Sequence, residues 1–117
     1  MKNLNFSIGI LSWKGYASLY NSLKSYEENG LNSLTDSKFI CLPEYNDEGI
    51  KICSNFGYKP ILFKKNIGIL NGFKNLALNM PEGPLLLLEN DLPLVANDKI
   101  THTLLKQSLE HLYKYKA

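Results

Sequence analysis

The chain contains no arginine: all 13 of its basic residues are lysine, set against 11 acids for a formal net charge of +2. Forked recognition of phosphates and base edges is arginine chemistry. Lys64–Lys65 is the one adjacent basic pair, so there is no basic stripe of the nucleic-acid-binding kind. No nucleic-acid partner is expected. Cysteine is nearly absent too. Cys41 and Cys53 stand twelve apart, each in an apolar stretch. They read as reduced core residues and not as a disulfide framework. His102 and His111, nine apart, fall on different faces of a helix, and no Cys or His spacing suits a metal. Long apolar runs are missing at the N-terminus. Phe6–Leu11 is six residues and includes Ser7 and Gly9, too short for a signal sequence or a transmembrane segment. An intracellular, cytoplasmic protein is therefore expected. Three catalytic or nucleotide signatures are also lacking: no Gly-Lys-Ser/Thr closes a P-loop, no Gly-x-Gly-x-x-Gly occurs, and Ser12 has no nucleophile-elbow context.

The 117 residues, 44% of them hydrophobic, suit one domain with a real core. Apolar runs alternate with helical stripes. Phe6–Leu11 predicts a buried strand. Tyr16, Leu19, Tyr20, Leu23 and Tyr26 follow at spacings of three and four, the stripe of an amphipathic helix stopped by Gly30. A polar connection, Asn29 to Ser37, leads to a second strand, Lys38–Pro43. Asn46 caps a second helix with Asp47 and Glu48 in its first turn. The apolar face of that helix is Ile50, Cys53 and Phe56, and Gly57 ends it. Lys59–Lys64 is the third strand. A third helix points Ile69, Phe73, Leu76, Ala77 and Met80 inward. Pro84–Glu89 is the most hydrophobic strand. A last helix from about Asn97 carries Ile100, Leu104, Leu105, Leu109 and Leu112. The order βαβαβαβα predicts an α/β fold, a three-layer α/β/α Rossmann-like open parallel sheet in a single domain over residues 1–117.

Ligands of such sheets bind beyond the carboxyl ends of the strands. The residues there are Ser12-Trp13-Lys14-Gly15, Glu44-Tyr45-Asn46-Asp47, Lys65-Asn66-Ile67-Gly68 and Glu89-Asn90-Asp91-Leu92-Pro93. Glu89 and Asp91, two apart on an extended chain, project to one side and suit a shared Mg²⁺ or Mn²⁺, which takes oxygen ligands and bridges to phosphates. A turn acid before Pro93 beside a solvated Glu89 is the plainer alternative. Gly68 and Gly72 allow backbone N–H groups to approach a phosphate, or simply lead into a helix. Trp13 offers a stacking face for a base or sugar, or a packing residue. Glu44 offers an acceptor for a nucleobase N–H, or a solvated loop acid.

Taken in order, FSIGILSWKGYASLYNSLKSY, KKNIGILNGFKNLAL and PEGPLLLLENDLPL resemble the opening strand and helix, the Asn-x-Gly helix and the metal-binding strand end of GT-A type glycosyltransferases, family 2 in particular. The resemblance spans about Phe6 to Val95. It implies a nucleotide-sugar-binding, GT-A-like half in which Ser12, Trp13 and their neighbours line the nucleoside pocket and Glu44 contacts the base. Lys74 would lie near the phosphates or donor sugar. Glu89 and Asp91, flanking Asn90, would hold Mn²⁺ or Mg²⁺ on the donor diphosphate. The implied partners are a nucleoside diphosphate sugar and an acceptor hydroxyl on a glycan, lipid or protein. The family's acceptor site and carboxylate base lie beyond the matching region, so no catalytic residue is assigned and a chain truncated at its C-terminus is expected. Both acids that the family writes as Asp, after the second strand and at the head of the acid-x-acid motif, are Glu here. Two other readings of the residues are a non-catalytic nucleotide-binding module and a flavodoxin-like or receiver-like interaction domain. A receiver needs acids after the first strand and an Asp after the third, where Ser12 and Lys65 stand.

Overall fold

A computed structural model describes residues 5–81 and 83–91 of the chain. The element order is β1 (Ser7–Leu11), α1 (Tyr16–Glu28), a 3₁₀ turn (Asn32–Leu34), β2 (Lys38–Pro43), α2 (Asp47–Phe56), β3 (Lys59–Phe63), α3 (Gly68–Asn79) and β4 (Leu85–Glu89). The predicted last helix, with His102 and His111, lies outside the described residues. All strand pairs are parallel, in the order β3-β2-β1-β4. The chain winds outward from β1 to β3, then jumps back across the sheet to place β4 on the other side of β1. The fold is a small α/β domain of four parallel strands and three helices among the described residues, consistent with a Rossmann-like sheet.

Alternation within the strands sorts the core into two layers. Ile8, Ile10, Ile40 and Leu42 pack with Leu19, Leu23 and Tyr26 of α1 and with Ile52 and Cys53 of α2. On the opposite face Leu11 and Cys41 pack with Leu76 and Met80 of α3. Helices thus cover both faces, as parallel sheets require.

Three local expectations need correction. First, the strands are not uniformly buried. β1 is buried at every position, but β3 and β4 lie at the edges and are largely exposed or half-buried. Among the described residues the most hydrophobic strand is thus an edge, with Leu85 and Leu87 exposed. Second, α3 packs on only part of the predicted stripe: Phe73, Leu76 and Met80 join the core. Its buried residues are Gly72 and Leu76, followed by Met80, while Ile69 is 62% exposed and Ala77 is exposed. Glycine sets this rotation: a Cβ at Gly72 would lie 2.5 Å from Leu11 Cδ1. A side chain there would have to displace the Leu11 side chain, which fills the space between α3 and β1. Gly49 does the same for α2, where a Cβ would meet the Tyr16 ring at 2.8 Å. Gly49, Ile52 and Cys53 are accordingly the buried residues of α2.

Third, the segment from Asn29 to Ser37 is more than a polar connection. Leu31, Asn32, Leu34 and Thr35 are buried in it. Asn32 Oδ1 accepts from the Tyr58 hydroxyl at 2.6 Å. Its Nδ2 donates to Leu23 O at 3.3 Å and Glu27 Oε1 at 3.1 Å, and its backbone O accepts from Lys38 Nζ at 2.8 Å. One polar side chain therefore joins α1, the 3₁₀ turn and the loop before β3. Buried polar groups persist when they are satisfied in this way.

The predicted helix signals hold at α2. Asn46 Oδ1 accepts from Gly49 N at 3.2 Å, and Gly57 closes the helix in the left-handed region at φ 73°.

Candidate functional site

The jump from β3 to β4 places β4 on the side of β1 away from β2, a switch in strand order of the kind beside which open α/β sheets bind ligands. Three of the four strand-end segments are tied together there. Ser12 continues the β1–β2 ladder, its N–H donating to Cys41 O at 3.0 Å. Its side chain is fully buried, and its hydroxyl donates to Lys14 O at 3.0 Å. That bond folds the loop back, and Lys14 and Gly15 both take left-handed backbone, φ 55° and 58°. Glycine does so freely; lysine does not. Gly15 is the N-cap of α1.

The end of β2 carries the other left-handed non-glycine residue, Glu44, at φ 49°. The next residue returns to the ladder, Tyr45 N donating to Phe63 O at 3.3 Å. The kink sends the Glu44 side chain across to the β1 loop. Its Oε1 accepts from Trp13 Nε1 at 3.0 Å, and its Oε2 lies 3.8 Å from Lys14 Nζ. The ammonium also stands 5.5 Å from the indole centroid, within cation–π range. Left-handed backbone at a non-glycine costs about 1–3 kcal/mol, comparable with what one exposed, charge-assisted hydrogen bond returns.

At the end of β4, Asn90 makes two links. Its Nδ2 donates to Gly15 O at 3.2 Å, and its backbone O accepts from Ser22 Oγ at 2.8 Å. Glu89 is the last residue of the strand, in register with Leu11, and Asp91 sits in the turn beyond; both are exposed. The extended chain on which their spacing was read thus ends at Glu89. Asp91 is close enough to the Tyr26 hydroxyl to act on it. Burial chiefly, and Asp91 to a smaller extent, push that phenol up to about 12 against the lowering effect of its hydrogen bond with Ser22.

The predicted residues therefore divide. Trp13, Glu44, Asn90, Glu89 and Asp91 gather at the carboxyl end of β2, β1 and β4. Ser12 is beside them but faces inward. Lys74 is exposed on α3, whose sheet-facing residues are Gly72 and Leu76, and nothing draws it to the strand ends. The Lys65–Asn75 stretch closes on itself, Asn66 Oδ1 accepting from Gly68 N at 2.9 Å, and Gly72 is used for packing on Leu11. Lys14, Gly15 and Ser22 belong to the site and were not singled out. Lys14-Gly15 before a helical stripe was the available signal for a tight left-handed turn.

Among the described residues no group of three or more His, Cys, Asp or Glu gathers around a point. A shallow groove of about 320 Å³ between α1 and α2, lined by Tyr16, Ala17, Tyr20, Asn21, Glu48 and Ile52, contains none of the predicted site residues. Among the described residues no helix is long and apolar enough to cross a membrane.

Fold and site together define a small parallel α/β domain with polar and acidic groups gathered at its strand ends. Compared with known proteins, the chain matches no family model, no curated protein and no solved structure.

Proposed function

We propose that this chain is the donor-binding part of a metal-assisted glycosyltransferase, binding a nucleoside diphosphate sugar at the carboxyl ends of β1, β2 and β4. The observation that carries the reading is the tie between Asn90 and Gly15 across the β1–β4 junction. It sets the Glu89-Asn90-Asp91 turn beside the loop that carries Trp13, within one continuous edge. In this reading Trp13 and Glu44 receive the nucleoside, and Glu89 and Asp91 hold Mn²⁺ or Mg²⁺ against the diphosphate. The bound cation would neutralise charge on the leaving diphosphate. Lys74 is a candidate phosphate contact on sequence grounds alone. The relation to GT-A enzymes rests on the resemblance of the three sequence stretches. The acceptor is a hydroxyl of a glycan, lipid or protein, and no base is assigned. Two buried, unpaired cysteines fit a reducing compartment such as the cytoplasm.

The test is calorimetric titration of UDP into the protein with and without Mn²⁺. Metal-dependent binding that weakens at least about tenfold in Asp91→Ala, the scale on which losing a metal-ligating group acts, supports the reading. Absence of binding, or binding equal in Asp91→Ala, refutes it.

A further inference from the structure

The carboxylate at the end of β2 is already in use. Glu44 Oε1 holds the indole N–H of Trp13 at 3.0 Å, and Oε2 faces Lys14 Nζ at 3.8 Å. The donor comes from a neighbouring loop, on a side chain that is 50% exposed and is the only tryptophan of the chain. Both residues that close the contact around Trp13, Lys14 and Glu44, sit in left-handed backbone. Strain of this kind persists where surrounding contacts impose it, and here an exposed indole–carboxylate bond and an ion pair join the two strained loops. An acceptor that binds one planar ring N–H is shaped to bind another. The indole itself is a flat, polarisable face on a turn of two left-handed residues.

We propose that the Trp13–Glu44 contact is a latch that a nucleobase opens. A base with a ring N–H donates to Glu44 in place of the indole, and the released Trp13 ring closes on the base by stacking. The inference rests on the nucleotide-binding reading above and adds to it a moving part and a rule of selection. Uracil and guanine carry a ring N–H donor on the edge that pairs; cytosine and adenine present an acceptor nitrogen there, which faces the carboxylate unfavourably and leaves only the exocyclic amine as donor, so they open the latch less readily. Trp13 competes for Glu44 before binding and contributes to the site after it. Removing the indole N–H while keeping an aromatic face therefore strengthens binding.

The experiment uses the full chain, Mn²⁺, and UDP or CDP as probes, followed by calorimetry and by Trp13 fluorescence with acrylamide quenching. UDP is expected to change Trp13 emission, and CDP to change it less at equal concentration. Trp13→Phe, read by calorimetry, should bind UDP about 3- to 10-fold more tightly, the factor that one competing hydrogen bond represents. Glu44→Ala without nucleotide should raise acrylamide quenching, because it frees the same ring. UDP binding seen by calorimetry with unchanged Trp13 emission, or Trp13→Phe binding no more tightly than the parent, overturns the latch and leaves the nucleotide reading standing. No calorimetric binding of UDP overturns both. Circular dichroism of each variant separates a lost contact from a lost fold.

Discussion

Replacing Asn32 with alanine should be among the most damaging single changes in the described part of the chain, although Asn32 is polar and lies in a connection. The substitution removes three hydrogen bonds: the 2.6 Å bond from Tyr58 and the two that Nδ2 makes to Leu23 O and Glu27 Oε1. The Tyr58 hydroxyl is the main victim, since Tyr58 is only 4% exposed. A buried donor left without a partner costs about 1–3 kcal/mol, and each lost ordinary bond about 0.5–1.5 kcal/mol. The sum is roughly 2–6 kcal/mol, against a total of about 5–15 kcal/mol for a typical domain, and a fall in Tm of roughly 10–25 °C. Urea unfolding followed by circular dichroism measures it. Tyr58→Phe removes the same strong bond from the other side and should cost about 1–2 kcal/mol. The double variant should be less damaged than the sum of the two by about 1 kcal/mol or more. A loss below about 0.5 kcal/mol for Asn32→Ala, or strict additivity in the double variant, would refute the reasoning that Asn32 acts through Tyr58.

Alkaline pH should weaken the fold. Burial pushes the Cys41 and Cys53 thiols up to about 11, Tyr26 up to about 12, and Tyr58 further still. In each case the folded state holds its proton more tightly than the unfolded chain, so this stability is fully present below the unfolded values near 9 and 10. It is lost as pH rises through the folded ones. Unfolding free energy, flat to about pH 8, should then fall on the order of 1 kcal/mol per pH unit for each ionising group; a flat profile to pH 11 would contradict the burial of these groups. Gly72→Val forces a branched side chain into space held by Leu11 and should cost about 2 kcal/mol by overpacking, read in the same urea assay. A neutral result would place α3 further from β1 than described.

The course of the chain was legible because each element carries its own punctuation. Asn46 and Gly57 bracket α2 by capping chemistry that needs no tertiary information, and the alternation of strand and helix implied the parallel sheet. What was hidden depends on contacts distant in sequence. Nothing in Pro84–Glu89 says that the greasiest strand is an edge, because strand order is set by where the crossover lands. Gly72 read as a phosphate-loop residue, and Gly49 carried no signal. Their use is to seat against Leu11 and Tyr16, which adds both glycines to the buried faces, while Ile69 and Ala77 of the α3 stripe are left outside. Asn32 read as loop because its partners, Leu23 and Glu27 in α1 and Tyr58 before β3, lie outside its own segment. At the site, each strand end could be named from the sequence. The pairing of Trp13 with Glu44, thirty-one residues away, could not.

Asn90 gives the strand-end edge a mechanical character. Its side chain grips the backbone of Gly15 and its carbonyl is gripped by Ser22, nearly two turns into α1. A pull on either neighbouring acid is thus shared at once by the β1 loop and by a 13-residue helix. The turn behaves as a bracket bolted at two points, so displacing Glu89 or Asp91 strains the β1 loop and α1 together.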